Sequence, residues 1–187
     1  MLARNILFAI FIMFGGVSKS LATSYKYSIA EQLAKIDANV LLIRHAIAPG
    51  FGDPKNFVIN QCNTQRNLDP VGRSQATLLG QNLRQSSVMV DKIYSSHWCR
   101  CLETAKLMQL GDVEKFTGLN SFFEGHVDRD QTLVLLQDKL TSLKKNSLSL
   151  MVTHQVVIQA LTGRGVSSGG VVAYNSSTGE SLKIVVK

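Results

Sequence analysis

The feature that most constrains the fold of this chain is an alternation of short apolar runs with segments of helical periodicity. Val40–Ile43 is a continuous aliphatic run of strand length, and residues 149–153 form another largely apolar run. Such runs are typical of parallel strands buried on both faces, because an exposed face would place polar residues at every second position. Alternating strands and helices predict an α/β fold, a three-layer α/β/α sandwich with a mostly parallel central sheet.

The boundaries of these elements follow from capping and turn residues as well as from periodicity. Asp69-Pro70 begins a helix with an N-cap aspartate and a proline at the first position, and Ser-Ser-Thr-Gly separates the strands of a terminal hairpin. The sequence predicts helices at 29–37, 70–84, 98–109, 130–145 and 156–161, strands at 40–43, 91–95, 113–117 and 149–153, and hairpin strands at 170–175 and 181–186. The loop 47–68 is long for a compact domain, which favours a functional role or a lid.

The first 22 residues differ from the rest of the chain. Arg4 is the only charged residue before the apolar run Ile6–Phe14, and small residues then lead to Ser20-Leu21-Ala22. A positive end, a short apolar stretch and a small-x-small site are the three parts of a secretory signal peptide, and the run is short for a membrane span. We predict a signal peptide at 1–22 and a folded domain at 23–187, with an uncleaved anchor as the alternative.

The formal net charge and the distribution of basic residues indicate which classes of partner the chain can bind. Removing residues 1–22 takes away Arg4 and Lys19 but no acidic residue, so the formal net charge falls from +7 to +5. A modest basic excess suits anionic substrates, but it is also common on surfaces that bind nothing. The chain has no long Lys/Arg run and no interleaving of basic with aromatic residues, so no nucleic acid is expected as a partner. No stable membrane span is expected after signal cleavage.

The cysteines leave more than one arrangement open. Export from a diderm bacterium would place the mature chain in an oxidising compartment. That chain contains Cys62, Cys99 and Cys101, an odd number, so at least one thiol has no partner within the chain. Cys99 and Cys101 would point to different faces of a helix, which disfavours a bridge between them. Cys62 can bridge one of the other two, and zinc binding is disfavoured because no fourth ligand has a suitable spacing.

Polar residues follow three of the predicted strands at the point where each strand ends. Arg44-His45 follow the first strand, Arg100 lies one turn into the helix after the second, and His154 follows the strand 149–153. Ligands of open α/β sheets bind beyond the carboxyl ends of the strands. Guanidinium groups match phosphate oxygens bidentately, one neutral imidazole can attack phosphorus, and a second can hold a phosphoryl oxygen. This set predicts phosphoryl-transfer chemistry.

Four segments, in order, resemble the motifs of the histidine phosphatase superfamily, in its phosphoglycerate mutase-like branch. LIRHA at 42–46 resembles the Arg-His-Gly signature, and LDPVGRSQA at 68–76 resembles the start of a helix written Leu-Thr-x-x-Gly-x-x-Gln-Ala. SSHWCRCLETA at 95–105 resembles Ser-Ser-x-x-x-Arg-x-x-x-Thr-Ala, and VTH at 152–154 resembles the strand end with the second histidine. The resemblance covers about residues 39–187.

The resemblance implies a phosphoglycerate mutase-like fold, a catalytic domain at 23–187 and a role for each matched residue. His45 would be the nucleophile that forms a phosphohistidine, while Arg44, Arg100 and His154 would bind the phosphoryl oxygens. Water would then hydrolyse the intermediate, and no metal or other cofactor would be required. The short chain without a lid domain is more similar to the small phosphatases than to the mutases.

The chain departs from the family pattern at two positions. Ala46 stands where the signature has glycine, and Ser121 stands where the family often has the glutamate that serves as general acid. The nearest carboxylates are Glu124, then Asp128 and Asp130. We predict Glu124 as the acid, a role that needs a raised pKa. If none of the three reaches the site, activity should favour substrates with good leaving groups.

Other polar residues have weaker support from the sequence. Arg66 precedes the matched helix start, and it could bind a second anionic group of the substrate or tie the long loop to a carboxylate. His97 and His126 lie outside the motifs and are predicted surface or loop residues. Gln75 and Thr104 are predicted to be structural.

The predicted function is that of a histidine acid phosphatase-like phosphoric monoester hydrolase, periplasmic or secreted, that works through a phosphohistidine. The expected partner is a small phosphorylated substrate, such as a sugar phosphate of the cell envelope. Phosphohistidine protein phosphatase activity is one alternative, although its cytoplasmic substrate fits export poorly. The other is a non-catalytic anion-binding module on the same fold, an alternative that Ser121 keeps open.

Overall fold

The chain forms one six-stranded sheet with helices on both faces. The computed structural model describes residues 27–186, so the predicted signal peptide at 1–22 lies outside the described residues. The strands are β1 (Val40–Arg44), β2 (Lys92–Ser95), β3 (Val113–Lys115), β4 (Ser149–Thr153), β5 (Val171–Tyr174) and β6 (Ser181–Ile184), and the helices are α1 (Ile29–Ala34), α2 (Pro70–Gln85), α3 (Cys99–Leu107), α4 (Arg129–Ser142) and α5 (Gln155–Thr162). Within 27–186, no helix is long and apolar enough to span a membrane.

The order of the strands brings the predicted site residues to one edge. The sheet runs β3-β2-β4-β1-β5-β6, and the first four strands in this order are parallel, while the hairpin β5–β6 is antiparallel. Arg44 pairs with Thr153 at the ends of β1 and β4, so the residues that follow these two central strands emerge side by side. The α/β sandwich with a mostly parallel sheet is therefore confirmed.

Each face of the sheet packs against its own group of helices. Because side chains alternate along a strand, Leu41 and Ile43 face one layer and Val40 and Leu42 face the other. The first layer contains apolar residues of α1, α2 and α3, and the second contains those of α4 and α5. The first four residues of β1, on both faces of the sheet, are completely buried, which explains why residues 40–43 are all aliphatic.

Several predicted boundaries differ from the observed ones. The capping box that begins α1 is present, but the helix ends at Ala34 rather than 37 because Asp37 adopts a left-handed φ of 46° and the chain turns into β1. β3 ends at Lys115, and a 3₁₀ turn follows at Thr117–Leu119. A second 3₁₀ turn, Phe123–Gly125, lies between β3 and α4, where the sequence predicts neither helix nor strand.

A glycine brings α2 against the segment that follows the first strand. A Cβ atom on Gly72 would collide with the backbone carbonyl of Ile47. Only glycine allows this close approach of helix and backbone. The start of α2 therefore supports the residues directly after His45.

Candidate active site

The carboxyl ends of the central strands border a cavity of about 420 Å³. Arg44 and His45 reach it from the end of β1, His154 from the end of β4, Arg100 from α3 and Arg66 from the long loop. A larger depression of about 540 Å³ lies near the amino ends of β1 and β4, and among residues 27–186 neither a histidine nor an arginine lines it. The residues suited to phosphoryl chemistry are thus gathered in the smaller cavity.

His45 is held as a neutral imidazole. The residue is only 3% exposed, and its Nδ1 lies 2.8 Å from the carbonyl oxygen of Ala46. Since a carbonyl can only accept, Nδ1 carries the proton and Nε2 keeps its lone pair. Burial, followed by the positive charge of Arg100, lowers the pKa of His45 to about 3. The ring therefore has the protonation state that a nucleophile needs.

His154 lies beside His45 with one nitrogen already occupied. The ring centroids are 5.4 Å apart, and Nε2 of His154 lies 2.9 Å from Ser96 Oγ and 3.4 Å from Cys101 Sγ. Burial, and then the charge of Arg100, lowers the pKa of His154 well below its ordinary value. Nδ1 is the nitrogen left for a phosphoryl oxygen.

Two guanidinium groups keep donors unused. Nη1 of Arg44 donates to the carbonyl of Val166 at 2.9 Å and to Oε1 of Gln155 at 3.3 Å. The Nε atoms of Arg44 and Arg100 are buried and have no hydrogen-bond partner among residues 27–186. Buried donors without partners are rare in folded proteins, so these two atoms indicate a ligand with oxygen acceptors.

Asp53, in the long loop, orients Arg100. Its carboxylate receives two hydrogen bonds from the guanidinium of Arg100, at 2.8 and 3.2 Å. Trp98 Nε1 and the backbone N–H of Arg66 donate to the same carboxylate at 2.9 and 3.0 Å. Burial opposes ionisation, but the hydrogen bonds from Arg100 and Arg66 hold the pKa of Asp53 below its ordinary value. Three guanidiniums and one carboxylate thus give the pocket a formal charge of +2, which suits a phosphoryl dianion.

Sequence reasoning missed both Asp53 and Trp98. The sequence does contain one relevant signal: Asp53 is an acidic residue in the long loop that also contains Arg66. This loop precedes Arg100, the arginine predicted to bind the phosphoryl group. One of the two predicted roles of Arg66, a tie between the long loop and a carboxylate, implied a buried acidic residue nearby. That carboxylate is Asp53, but it pairs mainly with Arg100.

A disulfide bond joins the long loop to the start of α3. Cys62 and Cys99 are bonded, with Cα atoms 5.6 Å apart, and Cys101 is a buried free thiol. Of the alternatives that the sequence left open, the structure therefore has the bridge to Cys99. Burial raises the pKa of Cys101 to about 12, so this thiol is unreactive at neutral pH.

Arg66 combines parts of both predicted roles. Its guanidinium donates to the backbone carbonyls of Gly52, at 2.8 Å, and Ala48. It also lines the cavity. The side chain therefore shapes the loop and can still present a positive charge to a substrate.

Glu124 is exposed and is not among the residues that line the cavity. Its Oε2 accepts a hydrogen bond from the backbone N–H of Asp53 at 3.1 Å and lies 3.7 Å from His126 Nε2. Ser121 does line the cavity, while Asp128 caps α4 and Asp130 is exposed. The role of Glu124 as the acid stays a prediction.

Two further side chains brace the segment after His45. Thr104 Oγ accepts from the N–H of Ala46 at 3.0 Å, and Gln75 Oε1 accepts from the N–H of Ile47 at 3.0 Å. His97 instead bonds Asn120. None of these side chains lines the cavity.

The described residues contain no cluster of three or more His, Cys, Asp or Glu side chains arranged to hold a metal ion. The chemistry available to the cavity is that of imidazoles and guanidiniums. One imidazole can attack phosphorus, and the cations can stabilise the charge of the phosphoryl oxygens.

Comparison with known proteins agrees with this chemistry. A family model described as "Histidine phosphatase superfamily (branch 1)" matches residues 40–133. No curated protein matches the chain significantly.

Solved structures share the fold. The protein histidine phosphatase SixA complexed with tungstate is 16% identical, with a TM-score of 0.53, covering 78% of this chain and 94% of that one. Phosphoserine phosphatase from Entamoeba histolytica, in complex with 3-phosphoglyceric acid, is 18% identical, with a TM-score of 0.54 and coverages of 78% and 94%. The alpha-ribazole phosphatase from Shigella flexneri is 18% identical, with a TM-score of 0.54 and coverages of 79% and 95%.

Proposed function

The chain belongs to the histidine phosphatase superfamily, and on that premise we propose that it hydrolyses phosphomonoesters, without a metal, through a phosphohistidine on His45. One observation carries the proposal. His45 is a buried, neutral imidazole with Nε2 unprotonated, in a cavity lined by three guanidiniums. This combination offers a nucleophile and the positive charge that a transferring phosphoryl group requires.

The proposed reaction has two steps. Nε2 of His45 attacks phosphorus, the bond from phosphorus to the leaving oxygen breaks, and that oxygen departs with the bonding pair and takes up a proton. Water then attacks the phosphohistidine, loses a proton, and releases inorganic phosphate and the neutral imidazole. Arg44, Arg100 and His154 hold the phosphoryl oxygens throughout, and the unpartnered Nε atoms of the two arginines are the donors best suited to this.

The decisive experiment is hydrolysis of p-nitrophenyl phosphate by residues 23–187 in the presence of EDTA. We expect turnover in the wild type and none in His45→Ala. Met89 is exposed and lies before the amino end of β2, away from the cavity, so Met89→Ala should have the same activity as the wild type. Absence of hydrolysis between pH 4 and 8, with inorganic phosphate still bound, would refute the enzymatic proposal.

Glu124 is the proposed proton donor for leaving groups that need one. Its carboxylate would have to turn from the Asp53 N–H toward the cavity. Glu124→Gln should then slow the hydrolysis of alkyl phosphates, such as envelope sugar phosphates, more than that of aryl phosphates, because alkoxides depend more on protonation. Equal slowing of both classes would exclude Glu124 as the acid.

We place the protein in the periplasm or outside the cell, with residues 1–22 removed on export. The Cys62–Cys99 bridge supports this, because structural disulfides persist mainly in oxidising compartments. The intact mass of protein recovered from the cell envelope tests it. A mass that still includes residues 1–22 would contradict cleavage, and recovery in the cytoplasm would contradict export.

A second function is favoured by the lining of the cavity. Among residues 27–186, those that line it include no Asp or Glu, so a pocket that binds a phosphorylated ligand without turnover is the competing proposal. The lack of an acid in the lining would also suit a phosphohistidine of another protein as the substrate, because its imidazole is a good leaving group. Hydrolysis of p-nitrophenyl phosphate would reject the non-catalytic proposal. Release of phosphate from a phosphohistidine peptide would test the phosphohistidine phosphatase proposal.

A further inference from the structure

We propose that Phe51 and Phe123 form an aromatic rim that selects substrates with an aromatic leaving group, an inference that rests on the phosphatase function proposed for the same pocket. Both rings line the cavity that contains His45. They lie edge to face, with ring centroids 5.2 Å apart and an interplanar angle of 89°. Both rings therefore lie within reach of an aromatic group bound in the cavity, and aromatic rings attract one another in offset-stacked or edge-to-face arrangements.

The exposure of Phe51 has no explanation in the packing of the protein itself. Its side chain is 87% exposed, and Phe123 is 37% exposed. An exposed aromatic pair loses the free energy that burial would provide, and apolar surface beside a polar pocket marks ligand-binding sites. A ligand ring packed on the pair would recover that burial.

The backbone of the rim is held in place, so the rings are presented rather than left to move with a free loop. Gly50 and Gly52, on either side of Phe51, adopt left-handed φ values of 96° and 66°. A Cβ atom on Gly52 would collide with the carboxylate of Glu124. The same carboxylate accepts the N–H of Asp53, which ties the segment of Phe51 to the segment of Phe123.

The polar lining of the cavity points to the same substrate class independently. Among residues 27–186, the cavity lining has Ser121 where the family often has an acid, and it has no carboxylate. While Glu124 stays on the N–H of Asp53, a leaving group departs without help from a carboxylic acid and must be stable as an anion. A phenolate meets this requirement much better than an alkoxide, because phenols have a pKa near 10. Rim and lining thus both favour aryl phosphates.

The test compares phenyl phosphate with 2-naphthyl phosphate, whose leaving groups have similar basicity but different apolar area. We expect the wild type to prefer the naphthyl ester in kcat/KM by roughly 3-fold to 10-fold. Phe51→Ala and Phe123→Ala should each bring this ratio close to one. Met89→Ala removes an equally exposed apolar side chain away from the cavity and should leave the ratio unchanged.

A binding measurement separates failure of the rim from failure of catalysis. Calorimetry with benzylphosphonate and methylphosphonate needs no turnover. We expect benzylphosphonate to bind at least about 3-fold tighter to the wild type, with the difference lost in Phe51→Ala.

The outcomes are distinguishable. Hydrolysis of both esters with equal kcat/KM, unaffected by the Phe variants, would refute the rim and leave the phosphatase standing. No hydrolysis, with benzylphosphonate preferred only when Phe51 is present, would refute the phosphatase and support an aromatic phosphoryl ligand. No preference in either measurement would refute the rim.

Discussion

At the scale of single residues, the chemistry of the pocket depends on which histidine nitrogen carries a proton. The carbonyl of Ala46 assigns the proton of His45 to Nδ1, and burial, followed by the charge of Arg100, lowers the pKa so that a second proton does not bind. His45 can therefore act as a nucleophile across the whole range in which an ordinary histidine changes charge.

We expect this to appear in the pH dependence of kcat/KM for an aryl phosphate, which reports on the free enzyme. Between pH 7.5 and 5, an unshifted histidine would lose about 30-fold of its neutral form. With the pKa of His45 lowered to about 3, kcat/KM should fall less than about 3-fold once ionisation of the substrate is taken into account. A limb with an apparent pKa near 6.5 that belongs to the enzyme would contradict this.

The same scale includes Asp53, which neutralises a buried cation. Asp53→Asn should lower the free energy of unfolding by about 3 kcal/mol, because the guanidinium of Arg100 would stay buried without its counter-charge. Urea denaturation measures the change. As a control, Asp138 is an exposed acid on α4, and Asp138→Asn should change the free energy of unfolding by less than about 0.5 kcal/mol. An equally small change for Asp53→Asn would show that the Asp53–Arg100 pair does not stabilise the fold.

At the scale of elements, the strands and helices could be predicted because each has its own local signal. The buried runs of β1 and β4 and the Asp69-Pro70 start of α2 are short-range features. Convergence of Arg44, His45 and His154 then followed from the parallel order of the strands. The boundaries of α1 and β3 were less predictable, since turns set by tertiary packing end both elements.

The long loop was the part that local reasoning could not place. Asp53 is 47 residues from Arg100 in the sequence, and an irregular segment has no periodicity that would indicate its neighbours. The choice between Cys99 and Cys101 likewise depends on which side of α3 faces the loop. Cys101 faces the core, completely buried, while Cys99 faces the loop.

The disulfide makes the loop a stable element. It closes a segment with a sequence separation of 37 residues, for which chain entropy predicts a contribution of about 4 kcal/mol. Cys62→Ser should therefore lower the free energy of unfolding by about that amount. Dithiothreitol should reproduce the loss in the wild type and cause no further loss in the variant, and a reductant effect of equal size in both proteins would contradict the assignment.

At the scale of the whole molecule, the buried histidines make stability depend on pH. The pKa values of His45 and His154 are lowered in the folded state, so between the ordinary value of 6.5 and about pH 3 the unfolded chain binds more protons than the folded one. Stability must then rise with pH in this window and fall as the solution is acidified.

From pH 7.5 to 5 we expect His45 to cost about 2 kcal/mol of unfolding free energy, and His154, whose pKa is lowered in the same direction, to add to this loss. Urea denaturation in a phosphate-free buffer measures this loss, which should be smaller in His154→Asn and unchanged in Met89→Ala, a variant of an exposed side chain that does not titrate. If His154→Asn does not fold, NMR of the wild type decides the matter: imidazole signals of His45 and His154 that titrate near pH 6.5 would contradict the prediction.

The order of the strands also sets the time at which the pocket can exist during synthesis. β1, which ends directly before the proposed nucleophile His45, lies between β4 and β5, and these strands begin only at Ser149 and Val171. At ordinary ribosomal rates, on the order of ten seconds pass between the emergence of β1 and that of its first neighbour. A nascent chain that stops before residue 149 therefore lacks both strands that flank β1, and it cannot form the cavity around His45.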